Sequence, residues 1–203
     1  VLRYARDDIK ETRAISEILS PLYFTQTQML PMTYQNTIVR GNATKIDALL
    51  LREYIRRRRA VPRPDESRRF TGGYTDIFVT GLRRNVHHCD IQSLYPSLMI
   101  KQKIAPRNDE IAVFLELLTE LRDFRVAAKQ GMQEADDPEQ KRYLDALQST
   151  FKILINSFYG YLGFGFARFS DFDAAEKVAA EGRKLLRSMI EWIRKHGGEP
   201  IEI

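Results

Sequence analysis

The sequence has one cysteine, Cys89, and only three histidines. A single thiol excludes an internal disulfide. No apolar run approaches the roughly 18 residues that a helical membrane span requires, so the chain carries no transmembrane-helix signal and no membrane partner is expected. Internal repeats and low-complexity tracts are missing too. The chain opens Val1-Leu2-Arg3 with neither Met nor a signal-peptide pattern, and stops at Glu202-Ile203 inside an alternating apolar stretch, so a piece of something longer is expected. What is present is ordinary globular material: 203 residues, 43% hydrophobic and 29% charged, with 11 Gly and 8 Pro. That length can bury a real core. Thirty-two Lys+Arg against 27 Asp+Glu give +5 and a pI near 9.3, which favours an anionic partner without naming it. An intracellular soluble protein is the expectation.

Hydrophobic spacing predicts an amphipathic helix over 3–19, stopped by Pro21, and a second over 45–59 ending in the run Arg56 to Arg59. Pro62 and Pro64 mark a linker. Gly72-Gly73 leads into a predicted hairpin about Gly81, and 86–91 reads as a short strand. From Ile111 to Lys129 one helical stripe changes from Ile111, Leu115 and Leu118 to Arg122, Arg125 and Lys129, so one half packs and the other presents cations. Gly131 and Glu134 to Asp137 read as a turn, with Asp137 as N-cap, Pro138 first in the next helix and Gln140 as the reciprocal cap. The return helix runs to about Tyr159, giving a two-helix hairpin. A last helix starts near Asp171 and ends at the Gly197-Gly198 stop, followed by a strand over 200–203.

Two clusters carry chemistry. In Asp90-Ile91-Gln92-Ser93-Leu94-Tyr95-Pro96-Ser97, a carboxylate at a strand end suits a hard cation such as Mg²⁺. The turn after it offers backbone N–H groups and hydroxyls to a triphosphate, and Tyr95 is a ring stiffened by Pro96. In Lys152 to Gly160, Lys152, Asn156 and Tyr159 stand at i, i+4 and i+7, so an ammonium, an amide and an aromatic ring share one helix face. Lys152 can meet a phosphate and Tyr159 a base, while Gly160 permits close approach. His87-His88-Cys89 is discounted as a zinc site, because neighbouring strand residues alternate faces and no second ligand pair exists.

Together the clusters resemble motifs A (D-x-x-S-L-Y-P-S) and B (K-x-x-x-N-S-x-Y-G) of the family B, alpha-like DNA polymerases. By composition the first should arise by chance on the order of 10⁻⁵ per chain and the second on the order of 10⁻⁴. The resemblance implies that Asp90 is a catalytic metal ligand, with the Ile91 carbonyl beside it, and that Ser93 and Leu94 lie near the incoming triphosphate. Tyr95 is then the steric gate beneath the sugar. Lys152 and Asn156 face the nucleotide, and Tyr159 and Gly160 the nascent base pair. Arg122 matches the Arg of the fingers pattern R-x-x-x-K, but Val126 stands where its Lys should be, with Arg125 and Lys129 as the two substitutes. Phe70-Thr71-Gly72-Gly73 resembles the template-contacting Y-x-G-G loop with Phe for Tyr. Tyr4 to Asp8 fits Y-x-x-x-D of the proofreading 3′→5′ exonuclease.

The implied fold is α+β and helix-rich: a partial polymerase palm with a small antiparallel sheet, and a two-helix fingers hairpin. The expected organisation is 1–20 as the end of an exonuclease domain, 21–106 as connector and first part of the palm, 107–160 as fingers and 161–203 as a further, incomplete part of the palm. Implied partners are primer-template DNA, a dNTP and a sliding clamp, and the implied cofactor is a pair of Mg²⁺ ions, in the cytoplasm or nucleoid of a prokaryote ahead of a nucleus or virus. The family's second pair of catalytic aspartates, Y-x-D-T-D-S, does not occur in this sequence. The chain alone is therefore expected to be inactive, needing a further palm and thumb segment in cis or in trans. Three readings stay open: a piece of an active polymerase, a subunit of a split polymerase, and a non-catalytic nucleic-acid-binding remnant.

Overall fold

The computed structural model describes residues 2–64 and 66–203. Seven helices carry the described fold: α1 (Leu2–Met29), α2 (Tyr34–Val39), α3 (Asn42–Arg56), α4 (Leu94–Gln102), α5 (Val113–Glu134), α6 (Pro138–Leu162) and α7 (Phe172–Lys195). They divide into two compact units, one of residues 1–61 and 117–157, the other of 62–116 and 158–203.

In the first unit α1 does not stop at Pro21 but continues to Met29. A proline costs the helix one hydrogen bond. The stretch beyond it is held by burial: Thr25, Gln26 and Leu30 are nearly inaccessible. The hydroxyl of Thr25 donates to the Pro21 carbonyl at 2.9 Å. The earlier part of α1 is exposed from residue 3 to Leu19. Helix α2, which the sequence pattern did not announce, is one short turn capped by Thr33, whose hydroxyl accepts from the Asn36 N–H. α3 supplies Ile46, Leu49, Leu50 and Tyr54 to the core. Buried among them, Lys45 donates to Gln26 Oε1 at 2.8 Å, and burial pushes its pKa down. The Arg56 to Arg59 run begins on α3, where Glu53 accepts from Arg52 and pairs with Arg56 at 2.8 Å.

The predicted hairpin of α5 and α6 forms. Gly131 lies within α5 rather than in the turn, where a methyl would sit 3.4 Å from Leu144, and the connection shrinks to 135–137. Phe124 stacks on Phe151 with centroids 5.9 Å apart, the antiparallel register that the Gly131–Leu144 approach also gives. Asp137 caps α6 as predicted, accepting from the Glu139 and Gln140 N–H groups.

The second unit is built on α7. Asp171 caps it, accepting from Ala174 N–H at 2.9 Å, and also accepts from the Arg107 N–H at 2.8 Å. Gly197, at φ +82°, ends it in the left-handed conformation. Phe114 packs edge-on against Phe158 at 5.0 Å, and Met99, Leu162, Phe169, Ala175 and Val178 complete this core. The sheet half of the expected α+β class does not form among the described residues. One antiparallel bridge, Ile77 to Glu202, stands in for it, with Asp76 and Ile203 exchanging N–H···O bonds at 3.0 and 2.9 Å. The predicted hairpin about Gly81 and strand at 86–91 are instead irregular, and residues 81–90 are all exposed. A strand is stable only with paired neighbours and a buried face, and this stretch finds neither.

Candidate active site

Ser93 takes the left-handed conformation, φ 53° and ψ 48°, and its carbonyl accepts from Ser97 N–H at 2.9 Å to open α4. Pro96 is buried in the first turn of that helix, where its missing N–H costs nothing because the first amides have no helical partner. The sequence pattern suggested only a turn here.

α4 places Tyr95 in a slot made by two glycines and a second ring. A methyl added to Gly182 of α7 would lie 2.8 Å from Tyr95 Cε1, and one added to Gly73 would lie 2.7 Å from Tyr95 Oη. Both approaches are closer than side-chain carbons tolerate, so glycine is required at each for this ring position. On its face Tyr95 stacks on Tyr159, with centroids 4.3 Å apart and planes at 30°. Burial, foremost, and the neighbouring Tyr95 push the Tyr159 phenol up, with Arg183 pulling the other way. Arg183, half-buried on α7, donates from Nη1 to the Thr71 carbonyl at 2.8 Å and to that of Gly72. Phe70 anchors the same loop edge-on to Phe172 at 6.1 Å. Four sequence elements, the Gly72-Gly73 loop, the Asp90 motif, the Lys152 motif and α7, thus converge on one tyrosine ring.

Residues 102–201 match the family model of DNA polymerase family B. The chain belongs to this family. It is 29% identical to a DNA polymerase of Thermococcus gorgonarius over 98% of its length and 29% of the relative's. It is 30% identical to a DNA polymerase of Archaeoglobus fulgidus over 93% of its length and 27% of the relative's. The solved family B DNA polymerase of the hyperthermophilic archaeon Pyrobaculum calidifontis shares the fold: TM-score 0.78 at 22% identity, over 100% of this chain and 30% of that one. The chain thus spans under a third of the length of the polymerases it matches.

Of the residues singled out in sequence, the second unit gathers Gly73, Leu94, Tyr95 and Tyr159, with Gly72 held beside them by Arg183. Ile91 and Leu94 line a cavity of about 400 Å³ between α4 and α7, walled also by Leu98 and Leu185. Asp90 is exposed on the irregular stretch, and Gly160 faces open space. In the first unit Lys152 and Asn156 are exposed one turn apart on α6. Arg122 is exposed and pairs with Asp123 at 2.9 Å, whereas Arg125 is half-buried with its Nε in the interior. Lys129 is exposed. Tyr4 and Asp8 lie one turn apart on the exposed part of α1.

Among the described residues no group of three or more His, Cys, Asp or Glu is placed to hold a metal ion. Asp90 offers one carboxylate, and a pair of Mg²⁺ ions needs several, so these residues do not by themselves make a two-metal centre. No described helix is long and apolar enough to cross a membrane. Sequence reasoning missed Gly182 and Arg183. A glycine inside a strongly amphipathic helix was the available signal, since such a glycine usually marks a close approach.

Proposed function

We propose that this chain is the palm and fingers portion of a template-directed DNA polymerase, which transfers a nucleotidyl group from a dNTP to a primer 3′-hydroxyl inside the cell. The observation that carries this is the slot around Tyr95. A ring stacked on Tyr159 and bounded by the backbones of Gly73 and Gly182 has little freedom to swing. A fixed edge is what discrimination against a ribose 2′-hydroxyl demands, because a mobile ring would yield. Tyr159, with Gly160 open beside it, is suited to the nascent base pair, and the loop pinned by Arg183 to the template strand. The exposed Lys152 brings a point charge to a phosphate, Asn156 an amide, and Arg122 a guanidinium that can exchange Asp123 for a phosphate oxygen. Arg125 and Lys129 are the two candidates for the second fingers cation.

In this reading residues 1–20 close an exonuclease domain with Tyr4 and Asp8 in its site, 21–106 connect to and begin the palm, 107–160 are fingers and 161–203 return to the palm. Asp90 provides one carboxylate toward the Mg²⁺ on which the family's chemistry depends, and Ile91 its carbonyl. The other carboxylates come from outside these residues, so the chain alone does not extend a primer.

Binding of a labelled dNTP to the chain with primer-template DNA, followed by anisotropy, tests the assignment. Lys152→Ala should weaken binding by about ten-fold or more, the scale of a lost charge-assisted contact. Tyr95→Ala should narrow the preference for dNTP over the matching ribonucleotide. Wild-type behaviour in both variants would defeat the reading, and robust primer extension by the 203-residue chain would overturn the claim of inactivity.

A further inference from the structure

Outside the Tyr95 slot, charge is distributed unevenly around α7. At about 100° per residue, Lys177, Arg183, Lys184, Arg187, Arg194 and Lys195 fall within an arc of about 120°. Three carboxylates share the arc. Asp173 is bonded by Arg68 and Arg107, and Glu176 by Arg68, which leaves Glu191 as the acid beside the cations. A groove of about 450 Å³ opens in this face, lined by Ala180, Arg183, Lys184, Arg187, Ser188 and Glu191. Arg183 is engaged with the Thr71 and Gly72 carbonyls. Lys184, Arg187 and Ser188 are exposed.

The two outer arginines are braced rather than waving. The Arg187 guanidinium lies 5.5 Å from the centroid of the Tyr74 ring, and that of Arg194 lies 5.5 Å from that of Phe78. A guanidinium resting on a ring keeps its N–H edge for an in-plane acceptor, and less entropy is lost when it binds one. The Ser188 hydroxyl is turned back, donating to the Leu185 carbonyl at 2.7 Å, so the cations alone are free to meet an anion in this groove. This combination of ammonium and braced guanidinium in an open groove is the chemistry that holds phosphate oxygens without reading bases.

We propose that the groove on α7 carrying Lys184 and Arg187 binds the phosphate backbone of a DNA strand, extending the contact surface beyond the Gly72-Gly73 loop. The proposal rests on the reading that the chain works on primer-template DNA.

The test is the salt dependence of binding. The 203-residue chain and its Lys184→Gln/Arg187→Gln variant are titrated with a labelled primer-template duplex between 50 and 200 mM KCl. Each lost phosphate contact should lower the slope of log K against log salt by about 0.9. For two contacts, the wild type should lose roughly twelve-fold more affinity than the variant over that fourfold rise in salt. Lys184→Arg/Arg187→Lys should restore the slope, and Lys10→Gln/Lys141→Gln, which removes the same charge from the first unit, should leave it unchanged. An unchanged slope in the groove variant overturns the proposal, as does an equal fall in the charge-matched control. Weakening of dNTP binding without DNA would also overturn it, since the groove would then take a triphosphate. Failure of the wild type to bind DNA at all would instead bring down the polymerase reading and this proposal with it.

Discussion

Replacing Gly182 by alanine tests the Tyr95 slot directly, because two opposing effects of known size meet at that atom. In the interior of a helix such as α7, Gly→Ala is worth about 1 kcal/mol of stabilisation from backbone entropy. The new methyl would stand 2.8 Å from Tyr95 Cε1. The ring has little room to retreat, with the Gly73 backbone at its hydroxyl and Tyr159 against its face. Overpacking of a closed site costs about 1–3 kcal/mol, so the net effect should lie between about zero and a loss of about 2 kcal/mol. In a unit of about 100 residues each kcal/mol lost is about 4–8 °C in Tm. Thermal and urea denaturation followed by circular dichroism measure it. The decisive arm is the same substitution in a Tyr95→Ala background. With the ring gone the clash vanishes and only the helix term is left, so Gly182→Ala should there become stabilising by about 1 kcal/mol. The sign change is the signature of the slot. If Gly182→Ala raises the Tm in both backgrounds, Tyr95 is not where this reasoning puts it.

Three further outcomes follow from other contacts. Asp171→Ala removes the cap of α7 and the acceptor of the Arg107 N–H together, and should cost about 2–3 kcal/mol by urea denaturation, with Asp171→Asn recovering much of it. Because burial holds the Tyr159 pKa above its ordinary 10.0, the phenol's contribution to stability is fully present below about pH 10 and is lost as pH rises through the folded-state value; absorbance at 295 nm should show Tyr159 ionising late together with Tyr74, and Tyr159→Phe should reduce that phase by one tyrosine. Lys45→Met alone strands the buried Gln26 Oε1 and should destabilise by about 1–3 kcal/mol, whereas Lys45→Met with Gln26→Leu should approach or exceed wild-type stability in the same denaturation series.

Helix ends were legible in sequence wherever a local device sets them. Asp137-Pro138, Asp171 and Gly197 each satisfy orphaned amides or carbonyls with their own atoms, and each stands where the pattern put it. Pro21 misled, because the penalty of one lost hydrogen bond was outweighed by burial of Thr25, Gln26 and Leu30, which no local pattern announces. The strands expected near Gly81 and at 86–91 failed for the converse reason, since alternation prepares a strand but only a neighbour makes one. The site was legible as a list of side chains, Tyr95, Tyr159 and the paired glycines, but not as an assembly. Gly182 and Arg183, which bring the list together, carry no motif of their own and act through contacts distant in the chain.

That distance shapes how the site comes into being. Arg183 reaches across 112 residues to the Thr71 carbonyl. Closing a loop of that length costs about 4 kcal/mol of chain entropy before any contact rewards it. During synthesis the glycine loop leaves the ribosome long before its anchor exists, and it has nothing to hold it until α7 is complete. The seat of Tyr95 is therefore among the last parts of the chain to be built, and slow folding variants should cluster at Gly182 and Arg183 rather than in the fast, local hairpin of α5 and α6.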